Sequence, residues 1–275
     1  MVYKIKKLVP KVILVVLGLS FIYPLYWMTI MSFKNASEVY VNPFGLPEIW
    51  DLTNYAEALA SHPFFKYMLN SATYTVVTAF VTVLIGSMLA YAVSRMNWRF
   101  GNMVLTYITT GLIIPAQVIM IPLYKMVSAM GIRDMKLALI LPYIAFELAS
   151  CVLMVNAFFR GLPNELEEAA CLDGCNIYQC FFKVIFPVVK PALVTQIVLI
   201  SIHTWNEFSL ALVIGAKENM RPLTVGLLDF FVSIGVADWG VIGAAMIMTS
   251  VPIMIVYCIG NNQIENALTA GAVLK

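Results

Sequence analysis

Long apolar runs alternate with polar connections along most of this chain. The hydrocarbon core of a membrane is about 30 Å thick, so a helix that crosses it needs roughly 20 mostly apolar residues. The pattern therefore predicts an all-α integral membrane protein, with six transmembrane helices in a single domain over residues 1–275. The predicted spans are residues 12–32, 70–94, 103–126, 137–159, 190–214 and 241–261.

Prolines interrupt several of these runs, at Pro24, Pro115, Pro122, Pro142 and Pro252. A proline inside a membrane helix is tolerated where neighbouring helices or polar side chains satisfy the carbonyl groups that it frees. Kinked helices that pack on each other are more typical of a transporter or a channel than of a simple membrane anchor.

Composition and charge exclude several classes of protein. Of the 275 residues, 61% are hydrophobic and 12% are charged, and the mean hydropathy is +0.87, whereas a soluble domain is about half apolar and a quarter charged. Too few polar residues remain to cover a soluble core, which excludes a soluble protein. The net charge of +2 gives no electrostatic case for binding nucleic acid.

A basic cluster precedes the first apolar run and resembles a signal peptide. The run continues beyond a signal peptide's apolar region, and no A-x-A cleavage site follows at the usual distance, so we expect a retained first span. Cytoplasmic connections are enriched in Lys and Arg, which predicts that both termini are cytoplasmic. The cytoplasmic side would carry Lys4, Lys6, Lys7, Lys11, Arg95, Arg99, Arg160, Lys183, Lys190 and Lys275, and the other side Lys34, Lys66, Lys125, Arg133, Lys136, Lys217 and Arg221.

The five cysteines give little support for a metal site. Cys171 and Cys175 are four residues apart and could share a helix face, a spacing that suits a metal. No histidine or second cysteine pair lies nearby to complete a tetrahedral site. We therefore predict no metal site, and reduced thiols that pack as small apolar side chains.

The connection between the fourth and fifth predicted spans, residues 160–189, is long and begins with an acidic helix. Asn164 and Glu167 have the spacing of a capping box. Glu165 and Glu168 join Glu167 in the first turn, where carboxylates oppose the positive end of the helix dipole. This pattern predicts a short helix that starts after Asn164.

A sharp corner should follow this helix. Asp173 precedes Gly174, and glycine can take the positive φ that often ends a helix. Asn176 can cap a second short helix, which we expect to end at Pro187 and to be blocked by Pro191. The connection therefore predicts two short helices joined by a tight turn.

The first of these helices is slim. One apolar side of this helix would carry Leu166, Ala169, Ala170 and then Ile177. The small alanine side chains make this side narrow. The shape fits insertion into a cleft of a cytoplasmic partner. The alternative is a helix that lies on lipid, but such helices prefer Lys and Arg on their polar face, whereas this one presents carboxylates.

Residues of this connection match a known motif. Glu168–Ala170, then three residues, Gly174, nine residues, and Val184 to Pro187 resemble the EAA loop of ABC importer permeases, E-A-A-x3-G-x9-I-x-L-P. Val184 replaces Ile and Phe186 replaces Leu, and both changes are mild.

Two further segments extend the resemblance over nearly the whole chain. Trp205 to Phe208, in the predicted fifth span, is similar to the W-N-E-F segment of carbohydrate ABC permeases of the maltose type. Leu268 to Val273 is similar to the L-T-x-G-A-x-K ending of the smaller permease of such pairs, although Leu274 separates Val273 from Lys275.

The resemblance implies the type I ABC importer permease fold in a prokaryotic cytoplasmic (inner) membrane. Its implied partners are a second permease in a heterodimer, two copies of an ABC ATPase, an extracellular or periplasmic sugar-binding protein, the sugar and membrane lipid. ATP and Mg would be bound by the ATPase, because this chain has no G-x-x-x-x-G-K-[ST] phosphate loop and is not expected to be an enzyme. The residues implied in ATPase coupling are Glu165, Glu168, Ala169, Ala170, Asp173 and Gly174.

Candidates for contact with the sugar are Trp205, Asn206 and Glu207, with Asn156 and Gln117 as weaker ones. An aromatic face suits the C–H surface of a sugar, and amide and carboxylate groups suit its hydroxyls. A carboxylate within a span is costly and is usually paired or faces a wet cavity. The alternative is that Glu207 and Asn206 bond to a neighbouring helix or to the partner permease.

Other functions stay open at this point. A secondary transporter often has inverted repeats, and the sequence has no convincing repeat. A membrane enzyme needs clustered titratable residues, but His62 and His203 lie on different elements. A scaffold without transport does not explain Glu207 or the kinked helices. The predicted external segment 215–240 could reach a binding protein or be an ordinary loop.

Overall fold

The computed structural model describes residues 2–96, 98–215, 217–232 and 238–273, so Lys275 and part of the segment 215–240 lie outside the described residues. The regular elements in the described residues are helices. They are α1 Val2–Met31, α2 Ala36–Val41, α3 Thr53–Ser61, α4 Phe64–Arg95, α5 Gly101–Thr110, α6 Ala116–Ala129, α7 Leu137–Arg160, α8 Glu165–Leu172, α9 Ile177–Gln179, α10 Phe186–Val188, α11 Lys190–Asn206, α12 Ser209–Ile214, α13 Leu223–Val232 and α14 Trp239–Val273, with a π-helical stretch at Cys180–Ile185 and 3-10 turns at Gly111–Ile113 and Glu218–Met220.

Within the described residues, four stretches are long and apolar enough to cross a membrane: Pro10–Met31, Phe64–Arg95, Leu137–Arg160 and Trp239–Asn261. Two bent pairs pass the same test, namely Gly101–Ile113 with Ala116–Ala129 at 104°, and Ile177–Val188 with Lys190–Asn206 at 76°. The all-helical membrane character follows directly from these elements. A bent pair is either one broken span or a re-entrant loop, so the number of six crossings stays a prediction.

The predicted run 103–126 is broken at Pro115. Helix α5 ends at Thr110, and both Ile114 and Pro115 have extended backbones before α6 begins. Proline disfavours the helical conformation in the residue before it and cannot donate a backbone hydrogen bond, which favours a break at this position. Pro122 and Pro142, by contrast, stay inside α6 and α7.

The predicted run 190–214 is also broken, at Glu207. Helix α11 ends at Asn206, Glu207 is extended, and α12 starts at Ser209. The sequence Trp205 to Phe208 therefore lies at a helix break and not inside a continuous span. This position corrects the sequence-based expectation, and the side chain of Glu207 explains it below.

The chain divides into two compact units. The first comprises the described residues of Met1–Lys66 and Gly226–Val251. The segment after α1 in this unit is held by side chains that bond to its backbone. Asn54 Nδ2 donates to the carbonyl oxygens of Ser32 (2.9 Å) and Lys34 (2.7 Å), and the buried Lys34 ammonium donates to the Asn42 carbonyl oxygen (2.5 Å).

The second unit comprises the described residues of Tyr67–Val225 and Pro252–Lys275. It contains two apolar clusters, which we call the α8-side cluster and the far cluster. The α8-side cluster joins α4, α7, α8 and α11 and includes Ala90, Tyr91, Val155, Phe159, Ala170, Phe181 and Ile185. The far cluster includes Tyr74, Leu139, Tyr143, Leu210, Ile214 and Met220.

Helices α4 and α7 approach closely at Gly86. A Cβ added there would lie 2.7 Å from Cys151 Sγ and 3.3 Å from Cys151 Cβ, and Cys151 is fully buried. The contact leaves no room for a larger residue at position 86. A small residue at such an interface lets two membrane helices pack backbone to backbone.

We expect Gly86→Val to destabilise the subunit by about 1–3 kcal/mol, because overpacking a dense core forces side chains and backbone to shift. Unfolding in mixed detergent micelles measures this. Adding Cys151→Ala removes the clashing sulfur, so the double variant should lose less stability than the two single changes added together.

Gly18→Val is the matched control, because Gly18 is also helical and has no atom within 4 Å of an added Cβ. Equal losses at positions 18 and 86 would contradict the close α4–α7 contact.

Candidate functional site

Helix α8 ends in a tight turn at Gly174. Gly174 has φ of +79°. Its N–H donates to the Cys171 carbonyl oxygen, and the Cys175 N–H donates to the Ala170 carbonyl oxygen, both at 3.0 Å. This paired arrangement is a Schellman motif, which satisfies carbonyl groups at a helix end. The prediction of a glycine turn behind the acidic helix is confirmed.

The predicted capping box at Asn164 is wrong. Asn164 has a helical backbone, and its side chain makes no capping hydrogen bond, whereas a capping residue usually has an extended backbone. The box forms instead at the next helix. Asn176 Oδ1 accepts from the Gln179 N–H at 2.9 Å, and Gln179 Oε1 accepts from the Asn176 N–H at 3.0 Å.

The second short helix ends close to Pro187, as predicted. The helical backbone continues through the π-helical stretch to Val188, one residue past Pro187. Pro191 lies in the first turn of α11, the next helix. A proline in a first turn has no intrahelical bond to lose there, which explains why α11 accommodates Pro191.

The faces of α8 also differ from the sequence-based expectation. Leu166 and Ala170, four residues apart, pack on the α8-side cluster. Ala169 and Ile177 are exposed, so they do not share the buried side with them. Since neighbouring positions on a helix point about 100° apart, Ala169 turns away when Ala170 faces inward.

The outward side of α8 carries Glu165, Glu168, Ala169 and Leu172, all exposed. They follow each other at spacings of three, one and three residues, which aligns them on one helix face. Leu172 is 90% exposed, the highest value among the large apolar residues that the structure describes. We call this surface the α8 ridge. Asp173 and Gly174, at its end, are exposed too.

Cys171 and Cys175 do not share a helix face, because the turn at Gly174 separates them. Cys171 is exposed and Cys175 is half-buried. In the described ranges, no group of three His, Cys, Asp or Glu residues could hold a metal ion.

Glu207 holds the helix break in the second candidate region. Its carboxylate accepts hydrogen bonds from the N–H groups of Leu210 (2.7 Å) and Ala211 (3.0 Å), and from the Tyr143 hydroxyl (2.8 Å). The Thr224 hydroxyl donates to the Glu207 carbonyl oxygen at 2.7 Å. Glu207 therefore caps α12 and bonds to α7, which favours the structural role over direct contact with a substrate.

The four sugar-contact candidates are not brought to one surface. Trp205 and Asn156 are buried, and Glu207 is occupied as described. Asn206 is exposed, and its amide donates to the Ile202 carbonyl oxygen at 2.8 Å. Gln117, the weaker candidate on α6, is exposed as well.

One feature near Asn206 was not predicted. His203 lies one turn before Asn206 on α11, its side chain is 63% exposed, and its Nδ1 is 3.5 Å from Glu147 Oε1 on α7. Both residues stand out in the sequence as polar groups within apolar runs, but nothing in the sequence pairs them.

Glu207→Ala should reduce the stability of the subunit by roughly 2–4 kcal/mol, because it removes a helix cap and leaves the Tyr143 hydroxyl without its acceptor. Glu207→Gln keeps one acceptor and should cost less. Unfolding in mixed micelles, followed by tryptophan fluorescence, measures both. Asn206→Ala is the control and should change stability by under about 1 kcal/mol; an equal loss there would contradict a special role for Glu207.

Comparisons with known proteins identify the family of the chain. Residues 82–269 match the family described as "Binding-protein-dependent transport system inner membrane component". The chain is 33% identical to the probable ABC transporter permease protein YurM of Bacillus subtilis, over 91% of this chain and 83% of the relative.

Two other relatives carry more specific names. The chain is 32% identical to the sulfoquinovosyl glycerol transport system permease protein SmoH of Agrobacterium fabrum, over 94% of this chain and 90% of the relative. It is 32% identical to the trehalose transport system permease protein SugB of Mycobacterium tuberculosis, over 91% of each.

A solved structure is similar over almost the whole chain. In a crystal structure of a bacterial ABC transporter involved in the import of the acidic polysaccharide alginate, one chain matches with a TM-score of 0.83 and 26% identity, over 94% of this chain and 96% of that one. The family match covers well over half of the chain, and the fold agrees with it. This protein therefore belongs to the binding-protein-dependent transport system inner membrane components, the permease subunits of ABC transporters.

Proposed function

We propose that this chain is one of two permease subunits in an ATP-driven, binding-protein-dependent sugar importer. It forms half of the translocation path and receives mechanical work from a cytoplasmic ATPase. The α8 ridge is the observation that carries this proposal, because it presents Glu168 and Ala169 of the EAA motif outward, while Ala170 on the back of the helix is buried in the subunit. Membership of the ABC permease family speaks against the two alternatives, a secondary transporter and a scaffold.

The α8 ridge is the proposed ATPase contact. Glu165 and Glu168 supply charge, and Ala169 and Leu172 supply an apolar surface that a cleft could cover. An exposed apolar surface rimmed by polar residues is typical of an interaction site. In the assembled transporter each of two ATPase copies binds one permease, and ATP and Mg stay in the ATPase. Glu165, Glu168, Ala169, Ala170, Asp173 and Gly174 are the coupling residues of this proposal.

The first helix supports a second permease as partner. Only 6% of the apolar stretch Pro10–Met31 is buried, compared with 50% in α4 and α7. Since its own chain buries so few of these apolar side chains, the rest must contact lipid or another subunit. We propose that α1 packs partly on the second permease, in a heterodimer that crosses the inner membrane of a prokaryote, with six spans per subunit and both termini in the cytoplasm.

A sugar is the proposed substrate, on the basis of relatives named for sulfoquinovosyl glycerol and trehalose transport. Asn206 is the candidate for direct contact, because its amide is exposed next to His203. In this proposal, the packing of Trp205, Glu207 and Asn156 supports the helices that line the path, without direct contact with the sugar. The segment 215–240 would face the sugar-binding protein on the external side.

Transport would follow alternating access. ATP-driven closure of the ATPase dimer moves α8 in both permeases and favours the outward-open state, and release of the hydrolysis products restores the inward-facing state. ATP binding acts by stabilising one of two conformations of the bundle.

The coupling role of α8 can be tested by reversing its charge and by breaking its turn. In vesicles that hold the whole proposed complex, we expect Glu168→Lys and Gly174→Pro to reduce ATP-dependent sugar uptake and ATPase co-purification by about tenfold or more. Gly174→Pro fails because proline cannot take a positive φ. Membrane insertion should be unchanged in both variants.

Glu57→Lys is the matched control, since Glu57 is an exposed glutamate of α3. Normal transport by both α8 variants, with the ATPase still bound, would refute the coupling role.

The substrate path is tested at Asn206. Asn206→Ala should raise the sugar concentration for half-maximal uptake roughly three- to tenfold, because one hydrogen bond contributes about 0.5–1.5 kcal/mol. Asn102→Ala, at another exposed asparagine, should leave uptake unchanged. An unaltered half-maximal concentration in the Asn206 variant would remove this residue from the path.

A further inference from the structure

We propose that α4 carries the movement of α8 along the subunit, and that Arg95 is the positioning residue that attaches α8 to α4. This inference rests on the proposed function, because it concerns how the ATPase contact is connected to the rest of the permease. The evidence lies at both ends of α4 within the second unit.

Arg95 is the last residue of α4, and its side chain is only 7% exposed. Its Nη2 and Nε both lie 3.1 Å from Glu167 Oε2. Glu167 sits in the first turn of α8 and points inward, unlike Glu165 and Glu168 on the α8 ridge. Of the three glutamates in this turn, Glu165 and Glu168 are therefore free to contact an external partner, whereas Glu167 binds within the subunit.

The same guanidinium also binds the end of α7. Nη1 donates to the carbonyl oxygens of Leu162 (2.9 Å) and Phe159 (3.4 Å), and Nη2 donates to that of Pro163 (3.2 Å). Leu162 and Pro163 follow α7, where the helix no longer supplies partners for carbonyl groups, and the Phe159 carbonyl oxygen accepts from the Leu162 N–H as well. The arginine fork offers five donors in a fixed plane, so one side chain joins α4, α7 and α8.

Aromatic packing adds a second attachment. Tyr91, one turn before Arg95 on α4, stacks against Phe159 (ring centroids 5.8 Å apart) and Phe181 (5.2 Å). Ala170, on the back of α8, belongs to the same cluster. Tyr91 therefore attaches α4 to α7 and to the π-helical stretch Cys180–Ile185, on which α8 packs.

The other end of α4 holds the segment that follows α12. Side chains on the first turns of α4 bond directly to that segment's backbone. Asn70 Nδ2 donates to the carbonyl oxygens of Asn219 and Arg221 (3.0 Å each), the Tyr74 hydroxyl donates to that of Met220 (2.8 Å), and the Ser71 hydroxyl accepts from the Leu223 N–H (2.8 Å).

This segment in turn reaches the helix break, since Thr224 donates to the Glu207 carbonyl oxygen. A helix rises 1.5 Å per residue, so the part of α4 from Asn70 to Arg95 spans roughly 38 Å between this segment and α8. A displacement of α8 must move α4 with it or separate a buried charge from its partner, which is strongly unfavourable. The two ends of α4 thus connect the ATPase contact to the region of Asn206.

The test separates attachment from docking. Glu167→Gln removes the ion pair but keeps the shape of the side chain and the bonds from Arg95 to the three carbonyl groups. Arg95→Gln removes both, and Tyr74→Phe removes one bond at the far end of α4. The matched controls are Arg99→Gln and Tyr107→Phe, which alter exposed residues of the same types.

Each variant is reconstituted with the ATPase, the second permease and the binding protein, and sugar uptake and ATP hydrolysis are measured in the same vesicles. We expect the ATPase to stay bound in all variants. The sugar transported per ATP should fall about fivefold or more in Glu167→Gln and further in Arg95→Gln, fall measurably in Tyr74→Phe, and stay at the wild-type value in both controls.

The outcomes are distinct. If the wild-type complex shows no ATP-dependent uptake, the proposed function itself fails. If the wild type transports and Glu167→Gln and Tyr74→Phe keep the wild-type ratio of uptake to hydrolysis, the role of α4 is refuted while the proposed function stands. Loss of the ATPase from the Glu167→Gln complex would assign Glu167 to docking and would also overturn the inference.

Discussion

Every helix end leaves backbone N–H and C=O groups without partners inside the helix, and such a group costs several kcal/mol where it is buried away from water. The features of interest in this permease all lie at such helix ends. The turn at Gly174 satisfies the carbonyl groups that end α8, and Glu207 satisfies the N–H groups that begin α12. Arg95 does the same for the carbonyl groups around the end of α7.

These satisfied ends allow irregular backbone without loss of stability. The break at Glu207 positions Asn206 at an exposed helix end, and the Schellman turn holds α8 at a fixed angle to the next helix. Both are positions where a transporter needs a defined shape that a straight helix cannot give. The half-buried carboxylate of Glu207 is explained by its bonds to α7 and α12, so its position does not require contact with a substrate.

Helix α8 has two chemically different sides, and this division makes its proposed role physically consistent. Its outward ridge has two glutamates and an almost fully exposed leucine, which suit a partner's cleft. Its inward side has Leu166, Glu167 and Ala170, which bind the subunit through apolar packing and through one buried ion pair. A helix that is bound firmly to the subunit on one side and exposed on the other can transfer the movement of a partner to the subunit.

The sequence by itself determined the helical membrane class, the acidic helix with its glycine turn and the ABC permease family, because apolar run length and local motifs report on nearby residues. It also pointed to Glu207 as unusual. It indicated an interruption at Pro115, but it missed the break at Glu207, the actual capping box at Asn176 and the division of the α8 faces. Those features depend on which groups meet in space: the partners of Arg95 lie 64 to 72 residues away along the chain, and Tyr143 lies 64 residues from Glu207. Only the tertiary structure decides such pairs, since hydrogen bonds between distant segments leave no periodic trace in a single sequence.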